Sequence, residues 1–407
     1  MKTKIICIIS FLALLICIFF NLDLVPLRRE ISDLEIVMVA GMDKTDDGYE
    51  ISFLKKEKEE TSSEQSSGSN SETQVISIKA ENYNLAMRQL KTLTDKYITV
   101  NHIKYYIIGE KTAREDLPHA ADTLARGYQT RLNSKVYIAK GMTAKEFLEK
   151  AAASDYSVHE KLKNMEDSFW SQRLSTPSDL TDIGSIFMSE KGEGIIAALD
   201  FQKQDKTGTN NENGENSEKD KSKDLFEFSG AGLIKNMYLI DFLTADQMTT
   251  ANYILIDNSV DVISIKEKDS FVTFGLQNIK SDITFDFNNE NIINKMTVNV
   301  TYEANYEEAK AETPIFTLEK IDYFKSKLDY EVRKKIENII ALEFEKNIDF
   351  LNLDKRLKFN NPYKYDKNTK NILNILKKAT IVVNVDGEIQ TTYDIIESNI
   401  KQKGDSK

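Results

Sequence analysis

Three histidines, His102, His119 and His159, are the side chains best suited to metal or proton chemistry near neutral pH, and their spacing serves neither use. No two stand four residues apart and no H-E-x-x-H occurs, so no pair of imidazoles is set on one helix face to share a metal. His102 is read as a packed or hydrogen-bonded strand residue. The run Asp43-Lys44-Thr45-Asp46-Asp47-Gly48 resembles the start of a calcium loop, with carboxylates at its first and fifth positions and glycine at its sixth. Its twelfth position is Leu54, where such a loop requires a bidentate glutamate, so the run is expected to form a hairpin turn. The sequence holds no G-x-S-x-G elbow, no phosphate-binding G-x-x-x-x-G-K-[ST] loop and no G-x-G-x-x-G turn, which removes the local signatures of acyl transfer, nucleotide hydrolysis and dinucleotide binding. Carboxylates are abundant, but a glycosidase pair is defined by separation in space, which abundance does not supply. Trp170, the single tryptophan, suits a loop anchor better than a sugar platform. No catalytic residue, metal site or cofactor is predicted.

The thiols are equally uninformative as chemistry and more informative as topology. Both cysteines, Cys7 and Cys17, fall in the apolar run Ile5 to Phe20, so the rest of the chain contains neither a disulfide nor a cysteine zinc site. Lys2 and Lys4 precede that run, giving the charged start and apolar body of an export signal. Sixteen residues at ~1.5 Å each cover roughly 24 Å, and Leu22, Leu24 and Val25 lengthen the span toward the hydrocarbon thickness. No small-residue cleavage site follows before Arg29, so residues 1–26 are expected to remain as a membrane anchor with the folded portion outside. Ile16 stands where a lipobox needs a small residue, so lipidation at Cys17 is not expected.

The chain has 407 residues, 41% of them hydrophobic and 29% charged, enough for two or three cores. A net charge of −11 excludes nucleic acid as the principal partner, because phosphate binding needs clustered Lys and Arg. The tracts Lys55–Gln74 and Lys203–Lys223 contain no apolar residue and cannot offset their chain entropy by burial. The first reads as a flexible loop between strands (55–74), the second as a disordered linker (203–223).

Around these tracts the periodicities alternate. Leu34–Met42 and Tyr49–Leu54 read as a hairpin, Val75–Ala80 as a third strand, Tyr83–Tyr97 as a helix, Ile103–Ile108 as a strand, Ala113–Gly127 as a helix and Val136–Ala139 as a strand. Thr143 is placed to cap a helix through Phe147 and Leu148. Beyond the second tract, Phe226–Ile234, Leu239-Ile240, Val260–Ile265, Phe271–Leu276, Ile283–Phe287 and Val298–Tyr302 read as short strands, with a helix from Thr244 to Tyr253. Ile321, Phe324, Leu328, Val332, Ile336, Ile340 and Phe344 then mark one long amphipathic helix, before a short helix at Ile372–Leu376 and a strand at Ile381–Val385 turning at Asp386-Gly387. The predicted fold class is α/β and α+β: an N-terminal membrane segment, then two to three mixed α/β domains with a long late amphipathic helix. The expected boundaries are an anchor at 1–26, an N-terminal domain at 27–202, the linker at 203–223, a small strand-rich domain at 224–280 and an α+β domain at 281–402.

A family resemblance adds to this reading. Arg28-Arg29-Glu30-Ile31-Ser32-Asp33-Leu34-Glu35-Ile36-Val37, running into Gly41-Met42-Asp43, resembles the opening of Ger(x)C spore germination proteins, usually W-D-R-R-E-I-N-D-L-A-I-V and then G-I-D. His102-Ile103-Lys104-Tyr105-Tyr106-Ile107-Ile108-Gly109-Glu110 is similar to the family's H-x-K-x-I-x-I-G-E. Tyr137-Ile138-Ala139-Lys140-Gly141 with Ala144-Lys145 resembles its V-A-K-G-x-A-K, and Phe228–Leu233 its G-x-A-x-F segment. The family's Gly-Cys-Trp before the paired arginines is missing between Asp23 and Leu27, so an uncleaved helix replaces the lipid anchor. The resemblance implies three mixed α/β domains and a non-catalytic C subunit, beside two integral-membrane subunits, of a nutrient germinant receptor in the spore inner membrane of Gram-positive bacteria, a receptor that responds to a small nutrient. Arg28, Arg29, Glu30 and Asp33 are the candidate subunit contacts that it implies. The alternatives are an exported cell-wall hydrolase and a stand-alone solute-binding protein.

Overall fold

The computed structural model describes residues 10–12, 33–56, 73–90, 92–93, 96–127, 130–154, 156–172, 178–202, 225–267, 270–310, 318–365 and 372–390. The expected anchor apart from residues 10–12, Arg28, Arg29 and Glu30, both cysteines, the Trp170 side chain and the tract 203–223 lie outside the described residues. Among the described residues no helix is long and apolar enough to cross a membrane.

Period-two burial on both faces explains the main sheet. In β6 (Tyr105–Gly109) and β7 (Lys135–Ala139), Tyr106, Ile108, Val136 and Ile138 enter one core while Tyr105, Ile107, Tyr137 and Ala139 enter the other. These strands sit in the middle of a nine-stranded mixed sheet whose order is β11-β10-β9-β7-β6-β2-β3-β4, with the short β8 (Ser178–Asp179) attached to β7. Its other members are β2 (Val39–Thr45), β3 (Gly48–Lys56), β4 (Thr73–Ala80), β9 (Gly194–Phe201), β10 (Phe226–Lys235) and β11 (Tyr238–Leu243). β2, β6, β7 and β9 run parallel, and the expected hairpin is β2–β3 across Asp46-Asp47. Helices α1 (Tyr83–Leu90), α2 (Glu110–Glu115), α3 (Leu117–Arg126) and α6 (Leu180–Met188) cover one face, and α4 (Ala144–Ala152) and α5 (Val158–Gln172) the other.

Several elements depart from their expected bounds, each for a local reason. The expected strand 34–42 is two strands: β1 (Leu34–Ile36) leaves the sheet to pair in parallel with β5 (Tyr97–Thr99). That pairing draws Tyr97 out of the expected helix 83–97, which ends at Leu90. The expected helix 113–127 is broken at Asp116, whose φ of −151° is not helical, and α3 restarts with Pro118 in its first turn. The tract 203–223 does not separate two sheets. Phe201 is paired with Phe226 and the Gln202 N–H donates to the Leu225 carbonyl, so the chain returns to the strand it left.

The third sheet has the order β12-β13-β14-β15, from β12 (Ser259–Glu267), β13 (Ser270–Phe287), β14 (Ile293–Lys310) and β15 (Thr380–Gln390). β13 runs through the expected boundary at 280/281, because the break in alternation there is a bulge at Asn278, whose φ is 53°. Asp386-Gly387 lies inside β15, and no turn forms there. A Cβ at position 387 would run into the Tyr302 ring, and the Gly387 N–H donates to Asp329. β14 and β15 are parallel, a pairing that needs a crossover, supplied by the 29-residue helix α8 (Leu318–Lys346) and the short α9 (Leu353–Asn360), α10 (Pro362–Tyr365) and α11 (Ile372–Leu376). α8 buries Phe324, Leu328, Val332, Ile336 and Ile340 along one stripe, and Thr244 caps the preceding α7 (Ala245–Leu255) with a reciprocal Gln247 bond.

Candidate functional site

The order of the main sheet reverses between β2 and β6: the chain goes from β2 outward through β3 and β4, then crosses to β6 and β7 on the other side. In open α/β sheets a crevice forms at the carboxyl ends of the strands at such a reversal, and ligands bind in it. Here the place is filled by the protein's own side chain. Asp43 near the end of β2 is 3% exposed, and its two carboxylate oxygens accept the backbone N–H groups of Ala144 at 2.8 Å and Lys145 at 2.9 Å, at the start of α4. Those are the donors that a helix N-terminus offers to an anion. Thr143 caps the same helix in a reciprocal pair with Glu146.

Every neighbour of Asp43 is shaped around it. Gly109, at the end of β6, has an ordinary φ of −63°, so its lack of a side chain serves space alone. A Cβ there would overlap the Asp43 carboxylate and lie 3.0 Å from the Ala144 nitrogen. Glu110 accepts from the Gly141 N–H at 2.6 Å, while its own N–H donates to Met142. Arg114 donates to Glu110 and, at 2.9 Å, to the Ile240 carbonyl of β11, tying this corner to the sheet edge. Lys145 pairs with Glu50 of β3 at 3.1 Å, and the Lys44 N–H donates to Thr112 Oγ1 at 2.7 Å.

Burial pushes the Asp43 carboxyl up from 3.8 to about 6, against the two helix N–H groups that favour its charge, with Glu50 and Glu146 adding to the rise. The hydrogen bond to Glu50 holds Lys145 above its ordinary range. A carboxyl poised near 6 inside a cleft is a candidate acid or base by its titration alone. In this structure the carboxylate is 3% exposed and each of its oxygens accepts a backbone N–H of α4, so its visible work is to hold the start of that helix.

A second buried acid lies in the C-terminal half. Glu343 is fully buried and accepts from the Leu351 N–H, and burial beside the Asp349 carboxylate pushes its pKa well up. Asp349 caps α9 through the N–H groups of Leu353 and Asp354, and its own N–H donates to Glu193 just before β9. The arrangement ties the turn between α8 and α9 to the residue before β9. A groove of about 630 Å³ runs between α5 and the Phe226–Phe228 end of β10, with Lys161 lying over the Tyr156 and Phe226 rings at 4.6 and 4.5 Å. Among the described residues no group of three or more His, Asp or Glu side chains could hold a metal.

Of the candidate contacts from the sequence, Arg28, Arg29 and Glu30 lie outside the described residues, and Asp33 is exposed at the start of β1. His102 is exposed in the turn before β6, not packed in a strand as expected. His119 stacks on Tyr83, and His159 lies against Tyr105, where burial and Lys104 lower its pKa. Sequence reasoning weighed Asp43 only as part of a hairpin turn and gave Gly109, Glu110 and Gly141 no role of their own. Their common signal is that each stands at the end of a matched motif, G-M-D, I-G-E and A-K-G.

Those three motifs thus meet at one point, and all three fall within the first of two family-model matches. One, for the spore germination protein N-terminal domain, matches residues 28–200. The other, for the spore germination B3/GerAC-like C-terminal region, matches residues 229–393. The chain belongs to the Ger(x)C family of spore germination proteins. No curated protein sequence matches it. The crystal structure of the GerBC protein is similar over 86% of this chain and 97% of that one, with a TM-score of 0.53 at 15% identity, a likeness of fold. In this Ger(x)C chain the motif residues act as a clasp: they fasten β2 and β6 to the start of α4, and Arg114, bonded to Glu110, extends the tie to β11.

Proposed function

We propose that this chain is the non-catalytic C subunit of a membrane-bound nutrient germinant receptor, where it helps assemble the complex or transmits the signal that starts germination. The observation that carries this reading is the match of both family models, over residues 28–200 and 229–393. The self-filled crevice supports it, since the position where an α/β enzyme would hold its ligand is taken by Asp43. Residues 1–26 anchor the protein in the spore inner membrane, the folded portion lies on the extracytoplasmic side, and two integral-membrane subunits are its partners. Arg28, Arg29, Glu30 and Asp33 lie closest to that membrane and are the first residues offered to those partners.

Affinity capture of the tagged full-length protein from detergent-solubilised spore membranes, followed by mass spectrometry, tests the reading. Recovery of two polytopic membrane proteins is the expected result. A protein that emerges alone after gentle extraction, and that cleaves cell-wall material or binds a nutrient unaided, would overturn it.

A further inference from the structure

β1 has its polarity inverted for a strand facing water. Glu35 and Val37 point inward, at 9% and 1% exposure, while the alternate residues Leu34, Ile36 and Met38 face outward, Ile36 at 45% and Met38 at 38%. Parallel pairing sets Leu34 beside Tyr97 and Ile36 beside Thr99 on the same face, and Tyr97 is 38% exposed where its neighbour Ile98 is buried. Leu93, four residues before Tyr97, is 57% exposed. Single exposed apolar side chains are ordinary on a soluble protein, but an alternating strand that turns its apolar row outward and its carboxylate inward reports a non-aqueous neighbour.

The position of this ribbon in the chain says which neighbour. Leu34 follows Val25, the last apolar residue of the expected anchor, by nine residues. Fully extended, that stretch spans at most ~30 Å. The ribbon is therefore leashed to the bilayer surface, with Arg28 and Arg29 between them to meet anionic headgroups. Tyrosine beside aliphatic side chains is the composition that settles at a membrane–water boundary.

We propose that the outward face of the β1–β5 ribbon docks into the headgroup region of the phospholipid bilayer, a second membrane contact that fixes the orientation of the folded portion. This rests on the reading of residues 1–26 as an anchor.

The test uses the full chain with both cysteines replaced by serine and one environment-sensitive dye on Ile36→Cys, in vesicles of phosphatidylethanolamine and phosphatidylglycerol carrying nitroxide-labelled lipid. A second preparation carries the dye on Val262→Cys, an exposed site on β12. The expected result is blue-shifted emission and strong quenching by the labelled lipid at position 36, with water-like emission at 262. A third preparation, labelled on Tyr97→Cys, should lose its quenching when Ile36→Asp and Met38→Asp are added, while the protein still floats with the vesicles. Water-like emission at 36 in a protein that floats would overturn the docking and leave the anchor standing. Shielding at 36 that appears only when the partner subunits are added would overturn it in favour of a protein occupant. A chain that does not float at all would remove the anchor reading, and the docking with it.

Discussion

Gly109→Ala is expected to open the clasp at the end of the central strands. The substitution adds one methyl to a residue whose backbone any amino acid could adopt, so no conformational strain enters. The methyl overlaps the Asp43 carboxylate and lies 3.0 Å from the Ala144 nitrogen and 3.2 Å from the Thr143 Cα. The carboxylate must swing away and give up its bonds to the Ala144 and Lys145 N–H groups, at 2.8 and 2.9 Å. Hydrogen bonds to a charged group contribute about 1.5–3 kcal/mol each, so the loss is expected near the lower bound of their sum, about 3 kcal/mol, because first-turn donors can find water. Hydrogen exchange at the Ala144 and Lys145 amides measures this locally, free of any two-state assumption about a chain with more than one core. The same substitution made on Asp43→Ala should cost much less, since the methyl then fills vacated space and the two changes couple. An equal cost in both backgrounds, or unchanged exchange at those two amides, would refute the clasp.

Three further outcomes follow from the same geometry. Asp43 holds its proton in the folded protein up to about pH 6 and in the unfolded chain only to 3.8, so the folded state binds the extra proton between those values. The stability contributed is present at low pH and is lost as pH rises through about 6, amounting to about 3 kcal/mol. Against Asp43→Asn, which cannot titrate, the wild type should therefore lose relative stability by that amount between about pH 4 and pH 7, read by urea unfolding of paired samples. Glu343→Gln should change the unfolding midpoint little, since burial already disfavours the carboxylate charge and the neutral amide keeps the shape and the acceptor for the Leu351 N–H, whereas Glu343→Ala should cost about 2–3 kcal/mol. Gly184→Ala, inside α6 with nothing within 4 Å of the new Cβ, should stabilise the protein by about 0.5–1 kcal/mol, seen as a raised thermal midpoint.

What could be read beforehand was whatever the local chain decides. Thr143 and Thr244 cap their helices as expected, and the stripe from Phe324 to Ile340 forms its long helix, because capping and periodicity act within a few residues. Tyr97 was misplaced because its pairing partner, Leu34, is remote in the chain, and the boundary expected at 280/281 is a bulge at Asn278 because a bulge and a turn use the same left-handed backbone. The clasp was hidden for a related reason. Asp43 and Ala144 are 101 positions apart, and only the folding of β2 beside β6 and β7 brings them within hydrogen-bonding distance. The motifs were visible as a family resemblance, but their shared purpose was not.

β10 serves three packed regions at once: Phe226 on one side of the main sheet, Ile234 on the other, and Ala231 and Leu233 in the core beneath α8. Because its neighbour β9 ends at Phe201, opposite Phe226, the polar stretch between them begins and ends at one point. Closing a loop costs only about 0.6 kcal/mol more for each doubling of its length, so insertions there are thermodynamically cheap. The consequence is evolutionary. Lineages can lengthen, shorten or decorate this stretch without disturbing the body of the subunit, while a single residue gained or lost a few positions later would shift the register of a strand on which every core depends.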